Sequence, residues 1–237
     1  MIARIIKRNL HRDICRDPVL HGLVLNLYLN GEEYPHRIDD YFPVWAIPDG
    51  ELLAAMQSHM QDEDKHVALY RKAIRKLGQP VMELPLADVY NEVIRRYTRQ
   101  SFRIEPNDAA DERTLKLAGF FAHLHYLEKR IARSLDYHLD ACSNSPSAYP
   151  VKAVALVSRD EQRHVTYTKE AVYHLLPTAR AKRLLAEHRR AELRANLDFS
   201  SRQLSRLSSR YAERFPGSRR RIYHHASRLL EFGLRHA

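Results

Sequence analysis

Two stretches decide the reading of this chain: DEDKHVALY at 62–70 and DEQRHVTYT at 160–168. Both run Asp-Glu-x-(Lys/Arg)-His-Val. Glu-x-x-His alone recurs easily, as Glu33-x-x-His36 shows, but a six-residue repeat matched at five positions is a far stronger signal. Each copy also interrupts an apolar row at helical spacing. In a helix expected over 51–77, Glu63 and His66 fall among Met56, Met60, Val67 and Tyr70, and Gly78 ends the pattern. In a helix expected over 150–176, Glu161 and His164 fall among Val154, Val157, Val165 and Val172.

Working outward, two further rows each carry one acid. Over 111–140 the stripe Leu117, Phe121, Leu124, Ile131, Leu135 is broken by Glu128. Near the start, Leu23, Leu25, Leu27 and Leu29 alternate as a strand would, but no second strand candidate follows. Residues 18–41 are therefore expected as a helix kinked near Pro35, its row Leu25, Tyr28, Leu29 extended by Glu32, with Glu33 as rival. Four apolar stripes thus aim a carboxylate inward, and two add an imidazole three residues on. Unpaired, such buried carboxylates cost several kcal/mol each even after relaxation, on the order of a fold's whole stability. Two divalent cations would balance four negative charges, with the imidazoles completing the shell, as in bundles that take one Glu from each of two helices and Glu-x-x-His from each of the other two. Glu32 to Glu63 and Glu128 to Glu161 span nearly equal lengths of chain, as two antiparallel hairpins require. Asp62 and Asp160 are expected to bond the histidine of the opposite motif, Asp62 to His164 and Asp160 to His66, fixing each ring. Tyr70 and Tyr167 are expected to line the site.

The rest of the chain narrows the class. Its 237 residues suit one core with an appendage, and 7 glycines leave neither a turn-rich β fold nor a phosphate-cradling glycine loop. Cys15 and Cys142 form no Cys-x-x-Cys, which argues against a disulfide scaffold, a zinc ribbon or a rubredoxin-type iron site. The basic N-terminus has no apolar stretch suited to a signal peptide, and no run is long enough to span a membrane, so the expected location is the cytoplasm. A short helix is expected over 86–100, a loop over 143–150, a long basic helix after Pro177 and a last helix over 219–234. The whole excess of +10 lies after Leu176, including Arg202, Arg206, Arg210 and the run Arg219, Arg220, Arg221. This surface is the expected docking patch for an acidic partner. The fold expected is all-α: a four-helix di-metal bundle over 1–176 with a connecting short helix, and two extra C-terminal helices, 177–237, packed on it.

The pattern resembles the ferritin-like diiron-carboxylate superfamily. DEQRHVTYTK is similar to the Asp-Glu-x-Arg-His segment of acyl-carrier-protein desaturases. More of the chain, about 20–176, resembles the aldehyde-deformylating oxygenases, through Gly31-Glu32 to His36, then Glu63, His66 and Gly78. Pro35, the long segment from Gly78 to Glu128 and the basic last quarter depart from that family. The resemblance implies two Fe ions (Mn or mixed Mn/Fe being open) held by Glu32, Glu63, His66, Glu128, Glu161 and His164, and O2 activation beside an apolar channel. Glu32 and Glu161, or their counterparts, would bridge or shift. The partners to expect are a small organic, apolar or acyl-type substrate with O2 and an external electron donor such as ferredoxin; the basic tail would suit that donor or an acidic carrier protein, and a homodimer is open. Two other readings stay open: a rubrerythrin- or ferritin-like protein handling iron or peroxide, and an RNA-directed hydroxylase or basic RNA-binding helical protein.

Overall fold

The computed structural model describes residues 2–48, 50–98, 103–142 and 148–237. Among them the regular structure is entirely helical: α1 (Ile2–Arg16), α2 (Pro18–Glu32), α3 (Gly50–Lys76), α4 (Tyr90–Tyr97), α5 (Ala110–Cys142), α6 (Ala148–Leu175), α7 (Thr178–Arg210) and α8 (Gly217–Arg235), with short 3-10 turns between some of them. No helix among the described residues is long and apolar enough to cross a membrane.

The breaks follow local chemistry. Asp17 separates α1 from α2: its carboxylate accepts from Val19 N–H (2.8 Å) and Leu20 N–H (3.1 Å), capping a helix that opens on Pro18. At the end of α3, Gly78 takes φ 67°, and Gln79 N–H donates back to Ile74 C=O (3.2 Å), which closes the helix in a left-handed cap.

The expected helix over 18–41 is shorter than the sequence indicates. It does not kink at Pro35 but ends at Glu32, and Pro35–Arg37 forms a 3-10 turn. Proline lacks the N–H needed to continue the ladder, and its ring crowds the preceding turn. The leucine alternation comes from a helix buried on several sides. One of those sides receives the extended segment after Gly78. Asn26 bonds Pro80 C=O (3.0 Å) and Met82 N–H (2.7 Å), and Asn30 one turn on bonds Met82 C=O (2.8 Å) and Leu84 N–H (2.7 Å). Gly22 permits the close approach, since a Cβ there would lie 2.6 Å from Gln79. The expected 86–100 helix is a 3-10 turn, Leu86–Asp88, followed by α4; positions 99–102 lie outside the described residues. The loop expected over 143–150 falls partly outside them, and α6 has already begun at Ala148.

One apolar cluster joins four helices: Leu25 and Leu29 of α2, Tyr70, Ala73 and Ile74 of α3, Leu135 of α5, and Ala153, Val154 and Val157 of α6. A larger cluster centred on Met56, Phe120, Phe121, Leu124 and Val172 lies between α3, α4, α5, α6 and α7. A third cluster packs α1 and α2 against α7 and α8 through Ile14, Leu20, Leu204, Leu207 and Tyr223. The polar residues described next lie along the four helices that share the first cluster.

Candidate metal centre

On α3 the residues Met56, His59, Glu63, His66 and Tyr70 follow one another at intervals of three and four, so they share a face, and all are buried. On α6 the same spacing carries Val154, Val157, Glu161, His164 and Thr168 inward; Glu128 of α5 and Glu32 at the end of α2 complete the set. All six expected ligand residues are brought together. Glu161 is wholly buried, and the other five are at most 6% exposed. Of the two neighbours at the end of α2, Glu32 is the inward one. Glu33 instead pairs with Arg71 (2.9 Å), and His36 pairs with Asp64 (3.1 Å) among exposed side chains.

Donor atoms of Glu32, Glu63, His66 and Glu161 all lie within 4.8 Å of one another, and so do those of Glu128, Glu161 and His164. Glu161 belongs to both groups. His66 Nδ1 is 3.4 Å from Glu32 and 3.6 Å from Glu161. His164 Nδ1 is 3.5 Å from Glu161 and 3.9 Å from Glu63. Glu63 and Glu161, the glutamates of the two repeats, therefore sit between the histidines, while Glu32 lies to one side and Glu128 to the other. Glu63, not Glu32, thus shares the central position with Glu161.

The repeat accounts for its own flanking residues. Asp160 accepts from His66 Nε2 (3.3 Å) and Asp62 from His164 Nε2 (3.3 Å), the crosswise arrangement expected from the sequence. Lys65 reaches both aspartates (2.8 Å to Asp62, 2.5 Å to Asp160), and so does Arg163 (3.0 Å and 2.5 Å). Burial pushes each aspartyl group up, but hydrogen bonds outweigh it and hold both below the usual range: Lys65, Arg163 and His66 on Asp160, Lys65 and His164 on Asp62. With Nε2 engaged, each ring turns Nδ1 toward the glutamates.

For the glutamates the balance runs the other way. Burial, and then the charges of neighbouring carboxylates, push Glu63, Glu128 and Glu161 well above their ordinary range. Both oxygens of Glu161 and Nδ1 of His164 are buried without a hydrogen-bond partner. Orphaned acceptors of this kind are rare in folded proteins and ask for an explanation. Here the oxygens and ring nitrogens are hard-to-borderline donors suited to divalent transition ions.

Sequence reasoning missed His59. It lies one turn before Glu63, 3.0 Å from Glu63 Oε1 and 3.7 Å from Glu128 Oε1, with its other nitrogen 2.7 Å from the Tyr167 hydroxyl. Its ring stacks on His164 at 3.6 Å. Burial, then the charge of His164, depresses its pKa well below the ordinary imidazole value, so the ring is neutral. Its position on the Met56–Glu63 stripe was the available signal. Tyr70 is fully buried beside Tyr28 (ring centroids 5.7 Å apart), and Tyr167 lines the site through His59.

The expected docking arginines divide into two sets. Arg202 and Arg206 bind Asp88 (3.5 and 2.7 Å), Arg202 also Asp198 (2.9 Å), and Arg219 binds Asp13. These three fasten α7 and α8 to the rest of the chain, because the 3-10 turn before α4 brings Asp88, and α1 brings Asp13, within reach. Arg210, Arg220 and Arg221 are exposed. No protein-family model, curated protein or solved structure matches the chain.

Proposed function

We propose that α2, α3, α5 and α6 form a ferritin-like di-metal bundle and that the protein is an O2-activating diiron oxidoreductase acting on an apolar or acyl-type organic substrate. The observation that carries this reading is Glu161, whose two buried, unpartnered oxygens each face a histidine Nδ1. Glu32, Glu63, His66 and Glu161 would hold one ion. Glu128, Glu161 and His164, with Glu63, would hold the other. Iron at these positions would supply electrons for O2 reduction and the oxidising power to attack an unactivated organic group.

The chain's own residues set the conditions. Asp62 and Asp160 keep each Nε2 protonated and each Nδ1 lone pair turned inward, as supporting carboxylates commonly do for ligating histidines. Lys65 and Arg163 neutralise those aspartates, so the net charge of the interior stays with the glutamates. His59, neutral, directs Nε2–H to Glu63 and accepts from the Tyr167 hydroxyl at Nδ1. This connection could pass a proton between a buried phenol and the carboxylates. Phe42, whose ring is 5.5 Å from His59, and Phe120, Phe121 and Met56 form an apolar wall that excludes water on this side.

The test is anaerobic Fe(II) titration of metal-free protein, followed by O2 exposure with and without a long-chain aldehyde or acyl substrate. Binding of about two ions per chain, as in other carboxylate-bridged bundles, lost in Glu161→Ala, with O2 uptake that needs the organic substrate, supports the reading. Protein that stays metal-free in excess iron or manganese ends it, and rapid substrate-independent mineralisation turns it toward iron storage.

A further inference from the structure

The two cysteines that form no sequence motif meet in the fold. Cys15 ends α1, His21 lies in the first turn of α2, and His138 and Cys142 sit one turn apart at the end of α5. All four are buried, and one donor atom from each falls within 4.8 Å of all the others. The Asp17-Pro18 break turns Cys15 and His21 onto the same neighbour. The i, i+4 spacing puts His138 and Cys142 on one face to meet them.

The distances suit a single small cation. His21 Nε2 and His138 Nε2 are 3.0 Å apart. Two nitrogens each about 2.0–2.1 Å from a tetrahedral zinc would stand about 3.3 Å from one another. His138 Nδ1 is 3.3 Å from the Tyr28 hydroxyl, a contact that, with Tyr28 accepting, leaves Nε2 as the lone-pair atom facing the cluster. Ala141 and Val151 pack against the cysteines, so the surroundings are apolar. Two thiolates, two neutral imidazoles and one divalent ion sum to zero charge, which such surroundings accept.

We propose that Cys15, His21, His138 and Cys142 form a second, mononuclear metal site of Cys2His2 type, suited to zinc, that staples α1 to α2 and α5. The proposal is independent of the glutamate-rich centre, sharing no residue with it. Four protein donors leave no open position, so the role is structural rather than catalytic. Burial holds His21 at about 4 and His138 well below its ordinary value, so both rings offer a lone pair at neutral pH. A hydrogen bond with Cys15, and then burial, push the Cys142 thiol up, so binding must displace thiol protons and weaken in acid.

Cobalt(II) added to the reduced, metal-free full chain separates this site from the carboxylate centre, because only thiolates give sulfur-to-cobalt charge transfer in the near-ultraviolet. The expected result is that band, with strong tetrahedral d–d absorption, saturating at about one equivalent and bleached by zinc. It persists in Glu161→Ala and vanishes in Cys15→Ser/Cys142→Ser, whereas Glu161→Ala abolishes binding at the carboxylates. No thiolate band from wild type in excess cobalt overturns the proposal, whether or not the carboxylates bind metal. So does a Cys15–Cys142 disulfide in protein made with ample zinc. The wild-type spectrum decides the matter even if the double variant does not fold.

Discussion

Replacing Glu161 with Gln sets the stability of the metal-free protein against its capacity to bind metal. Without metal, Glu161 is wholly buried, neither oxygen is bonded, and the charge of Glu32 weighs on it after burial itself. A buried polar group left unpaired costs about 1–3 kcal/mol. The amide keeps the shape and removes the charge. Its N–H also gains an acceptor, since His164 Nδ1 is 3.5 Å from Glu161 Oε2 and lacks a partner. Metal-free Glu161→Gln should therefore be more stable than metal-free wild type by about 1–3 kcal/mol, each kcal/mol worth about 2–4 °C in Tm for a chain of this length. With metal the order inverts. Wild type at about 100 times Kd gains about 2.7 kcal/mol per site, whereas the variant has lost a carboxylate that, like Glu63, serves both donor groups. The assay is a pair of urea or thermal melts per protein, in chelator and in anaerobic Fe(II) or Mn(II). A variant less stable than wild type in chelator, and raised equally by metal, would refute the account of Glu161.

Asp160→Asn and Asp62→Asn each loosen one histidine and should weaken metal binding about 10–100-fold, measured by chelator competition; unchanged affinity would remove the aspartates from any supporting role. Burial holds His123 at about 3 and His125 and His188 at about 4. These folded-state values lie below the unfolded one, so their stabilising effect is full above about pH 6.5 and is lost as pH falls toward 4, at about 1.4 kcal/mol per pH unit per histidine. His188→Gln should then flatten the urea midpoint's pH dependence across that window, and parallel curves would contradict it. Reversing Arg206 to Glu places like charge against Asp88, a half-exposed contact worth about 0.2–1 kcal/mol. It should lower stability slightly without changing metal content, whereas reversing Arg210, Arg220 and Arg221 should leave stability alone and lower turnover only with a carrier-bound substrate. Gly22→Val should destabilise by driving a side chain into Gln79, already 2.6 Å from a bare Cβ; an unchanged melting temperature would show that the segment after Gly78 has room to shift.

What was legible from the sequence followed the reach of local rules. The helices over 51–77, 111–140, 150–176 and 219–234 match α3, α5, α6 and α8 to within two residues at each end, because apolar period and breakers such as Gly78, Pro177 and Pro216 act over one or two turns. Glu63, His66, Glu161 and His164 were legible because a repeated motif reports its own register, and Glu128 and Glu32 because each breaks or extends an apolar row, which left Glu33 open beside Glu32. Other features depended on what packs against what. The α2 leucines read ambiguously since Asn26 and Asn30 bind a segment more than fifty positions on, information that no window around residue 25 contains. His59 went unread because a lone histidine on an apolar stripe has no partner in sequence; only the fold places Glu63, Tyr167 and His164 around it. The basic last quarter looked like one surface, yet Arg202, Arg206 and Arg219 are spent on Asp88 and Asp13, acids drawn from distant parts of the chain. The cysteines mark the limit most sharply. Metal motifs are recognised when ligands are close in sequence, but a closed site needs only that they be close in space. His138 and Cys142 carry half of such a site at i, i+4; the other half arrives from a helix break at Asp17 that turns Cys15 and His21 toward them. Absence of Cys-x-x-Cys therefore excludes a zinc ribbon and leaves a zinc staple between helices untouched.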